Sequence, residues 1–292
     1  MISSITQFDE KTLQALTELC QACATIDGNK IAIYSELLAN QRPKPASLLC
    51  YDIQKKILTG FAAAFFFEYN AAEISLLVHP DYRQQGLARI LLKKLIIDIQ
   101  KERAVDNLVF SLPHQTSNTS VTQKLKTKGF QYQSSEYEMI RQQDIPMPLA
   151  LDKKEMRLAN YGDIETLCLI DNLCFPEGQL TNQQRFENLL NRQDHQIYLI
   201  IHENNIIGKA HLTWDKDTAK LSDIAILPAM QGQGFGRNLI AFCINQALEI
   251  PRNRIMLSVE THNQHALRLY QHAGFQISNA LDYWSGPLHV DF

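Results

Sequence analysis

Two six-residue segments, RQQGLA at residues 83–88 and QGQGFG at residues 231–236, carry the residue types that an anion-binding turn requires. Each follows an aliphatic run closed by a proline, Val78-His79-Pro80 and Ile226-Leu227-Pro228, and each opens an apolar helical pattern. A strand that turns straight into a helix converges the free amides of the first helical turn on one spot, where the macrodipole adds positive potential. Gly234 and Gly236 let a ligand approach the main chain with no Cβ in the way. In the earlier segment Gly86 is kept, and Ala88 is the smallest substitute for a second glycine. A pyrophosphate is the kind of ligand such a turn suits. Neither segment has the Gly-Lys-Ser/Thr of a P-loop, and QGQGFG does not fit G-x-G-x-x-G in register.

A second landmark follows each turn. Asn263 to Gly274 and Asn118 to Gly129 both span 11 residues, and each glycine precedes a phenylalanine, Phe275 and Phe130. Gly86 and Gly234 lie 148 residues apart, and Gly129 and Gly274 lie 145 apart. Two landmarks in the same order at nearly one offset indicate a duplicated domain, with a period too long for a solenoid.

Together these residues resemble the Gcn5-related N-acetyltransferase (GNAT) superfamily. Its acyl-CoA turn corresponds to Arg83, Gln84, Gln85, Gly86, Leu87 and Ala88, and again to Gln231, Gly232, Gln233, Gly234, Phe235 and Gly236. Its Asn-x-x-Ala-x-x-Leu-Tyr-x-x-x-Gly-Phe segment is matched by Asn263, Ala266, Leu269, Tyr270, Gly274 and Phe275. The resemblance implies acetyl-CoA as co-substrate, with its pyrophosphate on the main chain of the turn and its pantetheine arm beside a splayed strand at Ala225, Ile226 and Leu227. It implies a pantetheine contact from Asn263 and a proton for the leaving thiolate from Tyr270, a phenol whose ordinary pKa near 10 is close to that of a thiol. It further implies that the acceptor, a primary amine of a small molecule or a protein, attacks the thioester carbonyl directly and expels the CoA thiolate, without a metal. Asp223, Glu260 and His262, near the ends of two central strands, are the candidates for a general base. In the first copy Leu125 stands where the second has Tyr270, and leucine has no proton to give. The expectation is a degenerate first domain that retains a CoA turn and an active second one. The competing reading is a non-catalytic acyl-CoA-binding sensor or interaction module.

These residues must be positioned by elements that the pattern outlines. In the second copy, Asp163 is placed to cap a helix DIETLCLIDNLCF, and TNQQRFENLLNR forms another after Thr181. Residues 197–202 and 206–214 read as strands joined by a turn at Asn204-Asn205. Strands at 221–227 and 255–259 enclose the helix that follows the glycine turn, and residues 264–272 form the helix that carries Tyr270. The first copy parallels this with strands near 48–52, 58–67, 73–78 and 108–112, and a helix at 87–97; residues 31–47 fit no element. The fold class is α/β, two tandem GNAT-like domains, each a mixed and mostly antiparallel sheet flanked by helices. The domains are read as 1–145 and 155–292, joined by a proline-containing linker at 146–154.

The chain of 292 residues has 45% hydrophobic and 20% charged residues and a formal net charge of -3. That balance gives no global basic field for nucleic acid, and no apolar run approaches the length of a membrane span. Sixteen basic and 15 acidic residues precede position 151, against 12 and 16 after it. Six scattered cysteines in apolar contexts read as buried thiols, including the Cys20/Cys23 pair on an apparent helix. They point to the cytoplasm, with the fused pair working as a monomer or homodimer. The histidines show no metal-binding spacing. The acceptor is expected to lie against residues 174–192 and 282–287, and Trp214 and Trp284 read as packing residues more readily than as pocket walls.

Overall fold

A computed structural model describes residues 2–42, 44, 47–67, 70–102, 104–114, 119–142, 144–150, 155–175, 183–215, 218–250 and 254–289. Asn118, Thr181, linker residues 151–154 and residues 176–182 of the expected acceptor segment lie outside them. The chain folds as two units. Met1–Tyr137 with Asn279–Phe292 makes the first, and Glu138–Ser278 makes the second.

In the first unit, β1 (Ile2–Ile5) leads into α1 (Glu10–Asp27). Asp9 caps that helix by accepting from the Thr12 amide, and Gly28 ends it at φ +82°. Then come α2 (Ser35–Ala39), β2 (Ser47–Asp52), β3 (Ile57–Phe65), β4 (Ala71–Val78), α3 (Leu87–Glu102), β5 (Asn107–Pro113), α4 (Ser120–Thr127) and β6 (Gln131–Arg141). The hard-to-place stretch before β2 thus contains the short α2, and β1 is a strand that the pattern did not reveal. Strands β1 to β4 pair antiparallel in sequence order. β5 pairs parallel with β4 only from Ala71↔Asn107 to Ile74↔Phe110, and beyond that no pairing joins them. One cluster of apolar side chains lies under α3 and α4, with Leu91, Leu95, Phe110 and Leu125 buried. Another gathers Leu16, Leu19, Leu38, Phe61 and Phe65 under α1 and α2.

The second unit contains β7 (Met156–Leu158), α5 (Ile164–Cys174), α6 (Gln183–Leu190), β8 (His195–His202), β9 (Asn205–Asp215), β10 (Thr218–Ile226), α7 (Phe235–Glu249), β11 (Arg254–Glu260), α8 (Gln264–His272) and the start of β12 (Gln276–Pro287). Strands β7 to β10 form an antiparallel run, and β11 joins β10 in parallel. The β8–β9 turn is centred on Glu203 and Asn204, both left-handed at φ 48° and 65°. That is one residue earlier than the Asn-Asn pair indicated, and it is the geometry a two-residue hairpin prefers. Asp163 stands at the N-cap of α5 but makes no side-chain cap there; in the 3₁₀ turn just before it, Asn160 takes the Gly162 amide at 2.8 Å and Asp163 takes the Asn160 amide at 2.8 Å. Asp163 is forked to Arg157 at 2.7 Å on both oxygens.

The last strand of each copy does not stay with the rest of that copy. Leu281 to Pro287 of β12 pair antiparallel along all seven residues of β5, from Leu281↔Pro113 to Pro287↔Asn107. Trp284 and Leu288 enter the cluster under α3 and α4 of the first unit. Reciprocally, β6 passes into the second unit at Glu138, where the sheet order sets it beside β11. Arg141, 3% exposed, donates from Nε to the Ala273 carbonyl at 2.9 Å. The two units are therefore discontinuous in sequence.

Candidate active site

The two glycine segments adopt one backbone design. A short 3₁₀ turn, Pro80–Tyr82 or Pro228–Met230, leads out of β4 or β10. The next side chain reaches back to the strand end: Gln231 Nε2 donates to the Ile226 carbonyl at 2.9 Å, and Arg83 Nε to the Val78 carbonyl at 3.1 Å. Gln233 and Gln85 repeat the pattern toward the Ala229 and Asp81 carbonyls at 3.4 and 3.2 Å. Gly232 and Gly234 sit at φ +76° and +86°; Gln84 and Gly86 match them at +61° and +80°. For the glutamine, that left-handed conformation costs about 1–2 kcal/mol that a glycine avoids.

The turn is built to leave donors free. Gly234 is the N-cap of α7 and has no side chain to cap with, and the first helical amide satisfied is that of Asn238, on the Gly234 carbonyl at 3.2 Å. A Cβ on Gly232 or Gly234 would meet nothing within 4 Å, so open space lies before those amides. Helix α8 offers the contrast. Its own cap is filled, because the Asn263 side chain accepts from the Ala266 amide at 3.1 Å. Asn263, expected to touch pantetheine, thus spends its carbonyl oxygen on starting the Tyr270 helix. Arg83 is likewise engaged, with its guanidinium forked onto Asp27 at 2.7 Å. Gly236 marks where the motifs meet: a Cβ there would lie 3.7 Å from Ile226 of β10 and 3.7 Å from Leu269 of α8.

Next to the turn, β10 leaves its parallel neighbour. Pairing with β11 ends at Lys220↔Met256, although both strands run on to Ile226 and Glu260. The register with β9 breaks between Ser222 and Ala225, and Asp223 within the bulge has φ 47°. A bulge takes its residues out of the ladder and re-aims their side chains. Tyr270 is 8% exposed, with its ring 6.3 Å from that of Phe275, and burial pushes its phenol up to about 12. Glu260 and His262 form an exposed pair at the end of β11, 3.0 Å apart.

The bulge sits on a buried polar network. Lys209 of β9, 0% exposed, brings Nζ to 2.7 Å from Asp171 of α5 and 2.9 Å from His211 Nε2. His211 Nδ1 lies 3.2 Å from His195 Nε2 and 3.6 Å from Asp223. Arg185 of α6 bridges Asp171 at 2.6 Å and Asp223 at 3.1 Å. Burial lowers the proton affinity of Lys209 and takes His211 well below its usual value, with the Lys209 charge acting in the same direction on His211. For Asp223, burial acts upward, but His211, Lys209 and Arg185 outweigh it and bring the carboxyl down to about 2. Sequence alone does not single out Asp171, Arg185, His195 or Lys209 as site residues. The available signal was the pair Lys209 and His211, two apart in IIGKAHLTW and hence on one face of a strand.

The sequence profile of the Acetyltransferase (GNAT) family matches residues 13–125 and 164–275. An uncharacterized N-acetyltransferase of Escherichia coli, YjgM, is 28% identical over 115 residues, which is 38% of this chain and 67% of that protein. The [ribosomal protein bS18]-alanine N-acetyltransferase of Haemophilus influenzae is 37% identical over 111 residues, 38% of this chain and 70% of that one. A solved tandem GNAT protein from the clavulanic acid biosynthesis pathway superposes with a TM-score of 0.68 at 12% identity, covering 99% of this chain and 98% of that structure. With both halves matched by one family profile, this chain is a tandem, two-domain member of the GNAT acetyltransferase family.

Proposed function

We propose that the second unit transfers an acetyl group from acetyl-CoA to a primary amine of a small molecule or a protein. The observation that carries this reading is the uncapped turn at residues 231–236, with open space before Gly232 and Gly234, set beside a strand that parts from its neighbour after Lys220. Such a turn fits a pyrophosphate, and the unpaired edge of β10 near Ile226 and Leu227 fits an extended, amide-bearing arm. The thioester supplies an activated acyl carbon and a thiolate leaving group. Tyr270 holds a proton for that thiolate, and its buried phenol retains the proton across the physiological range. Asp223, already paired with Arg185 and held at low proton affinity by its cationic neighbours, is poorly suited to take the amine's proton. The proton then falls to the Glu260–His262 pair. A relative that acts on a ribosomal-protein alanine supports a protein amine as one acceptor class. The six cysteines are free thiols, in keeping with work in the cytoplasm, as a monomer or homodimer.

The first unit, in this reading, keeps a CoA-binding turn at residues 83–88 but lacks the usual phenol, because the corresponding residue of α4 is the buried Leu125. A non-catalytic acyl-CoA sensor is the second reading, and that same leucine favours it. Titration calorimetry with acetyl-CoA, run beside a free-thiol release assay with candidate amines, separates the two. Binding with amine-dependent thiol release supports transfer. Binding without release from any amine supports the sensor, and no binding by folded protein removes both.

A further inference from the structure

The first unit contains a cleft of about 730 Å³ on the α4 side of β12. It lies within the size range of small-molecule sites. His114, Lys126, Phe130, Tyr132, Asp282 and Trp284 line it. We propose that this cleft is a second ligand site, independent of acetyl transfer, for a planar aromatic anion that also carries an O–H or N–H donor.

The charges decide the sign of the ligand. Asp282 is 3% exposed, and its Oδ1 is already shared by two partners: His114 Nδ1 at 2.6 Å and the Ser135 hydroxyl at 2.5 Å. Tyr132 donates in turn to Ser135 at 2.7 Å. The carboxylate is thus spent on fixing the imidazole, whose Nε2 remains to pair with a ligand donor. The accessible charge in the cleft is Lys126, exposed on α4, with Nζ 5.6 Å from the centre of the Trp284 ring. An amine is therefore the wrong ligand and an anion the right one.

The walls decide its shape. Tyr132 and Trp284 meet edge to face at 5.9 Å, and Phe130 closes one end. Trp284 is 2% exposed, yet its indole N–H meets no acceptor among the described residues. That N–H is itself sealed from solvent, so Trp284 serves the cleft as an aromatic wall and not as a donor. The set is not a by-product of the duplicated fold. At the offset of 147 that superposes β5 on β11, Thr261 replaces His114; at the offset of 145, Gln271 and Ile277 replace Lys126 and Tyr132.

The test is calorimetric titration of the full chain with 6-hydroxy-2-naphthoate, which has a flat ring system, a carboxylate and a hydroxyl donor. The expected result is saturable binding at one site, weakened about tenfold by Lys126→Met, the loss of one charge-assisted contact. Lys126 is exposed, so that variant leaves folding intact, and His114→Gln reports on the donor contact separately. Tyramine, an aromatic amine of opposite charge, is expected not to bind. Absence of saturation, binding insensitive to both variants, or equal binding of tyramine each overturns the proposal. Displacement of the naphthoate by acetyl-CoA overturns it as well, by assigning the cleft to that co-substrate.

Discussion

Lys209 Nζ lies 2.7 Å from Asp171 Oδ1, joining β9 to α5 where both side chains are sealed from water. A buried ion pair is weak evidence of net stabilisation, but removing one partner leaves the other charge stranded. Lys209→Met is expected to lower stability by about 3 kcal/mol, and adding Asp171→Leu to recover much of that loss. Urea denaturation of the wild type, both single variants and the double variant measures the coupling. A double variant as unstable as the sum of the singles would show the two groups to be independent.

His211 ties the same network to pH. Its folded-state proton affinity lies well below the usual 6.5 because of burial and the Lys209 charge. Above pH 6.5 neither the folded nor the unfolded state holds that proton, so stability is flat with respect to this group. Below it, the unfolded chain takes the proton and the folded one does not. Stability then falls with a slope approaching about 1.4 kcal/mol per pH unit. His211→Gln is expected to flatten the slope by one proton, as read from denaturation midpoints on either side of pH 6.5.

Tyr270→Phe keeps the ring and its packing against Phe275 while removing the hydroxyl. Turnover is expected to fall by roughly 10²–10³ with acetyl-CoA affinity nearly unchanged. Equal losses in both would mean that the phenol serves binding rather than proton donation.

Gly234→Ala tests the turn. The added methyl meets no protein atom within 4 Å, so its folding penalty comes from the φ of +86° alone, about 1 kcal/mol. It protrudes into the space assigned to the pyrophosphate, and acetyl-CoA affinity is expected to drop by about tenfold. Calorimetry alongside a melting curve separates the two effects. An unchanged affinity would move the anion elsewhere.

The exchanged strands make a prediction about fragments. Residues 1–145 alone lack the strand that pairs along all of β5, and residues 155–292 lack the end of β6. Neither fragment is expected to unfold cooperatively by itself, whereas the full chain does. In the full chain, Gly286→Ala would place a Cβ 2.5 Å from the Phe130 ring and is expected to cost about 1–3 kcal/mol. A fragment 1–145 that melts cooperatively would show β12 to be dispensable.

Much of this arrangement was legible in the residues. The repeat, the glycine turns, the helix of residues 264–272 and the strands around them follow from spacing and periodicity, and the structure places them within a few residues of where those signals fall. The strand exchange was not legible, because β6 and β12 close their copies with similar extended sequences and periodicity does not say which sheet a final strand joins. Nor was the buried network. Lys209 and His195 look like solvated strand residues until tertiary packing brings α5 and α6 over them. The left-handed backbone of Asp223 is a property of the bulge that no residue type announces.

The pairing of β12 with β5 also sets a schedule for synthesis. β5 leaves the ribosome with one edge unpaired, and its partner, beginning at Leu281, emerges 168 residues after Pro113. At ordinary rates of translation that is a delay of roughly 10–30 s. Throughout it, the nascent first unit carries an open strand edge able to pair with a neighbouring chain. Slowed elongation in the second half, or a shortage of chaperones, would then act first on the half that was made earliest.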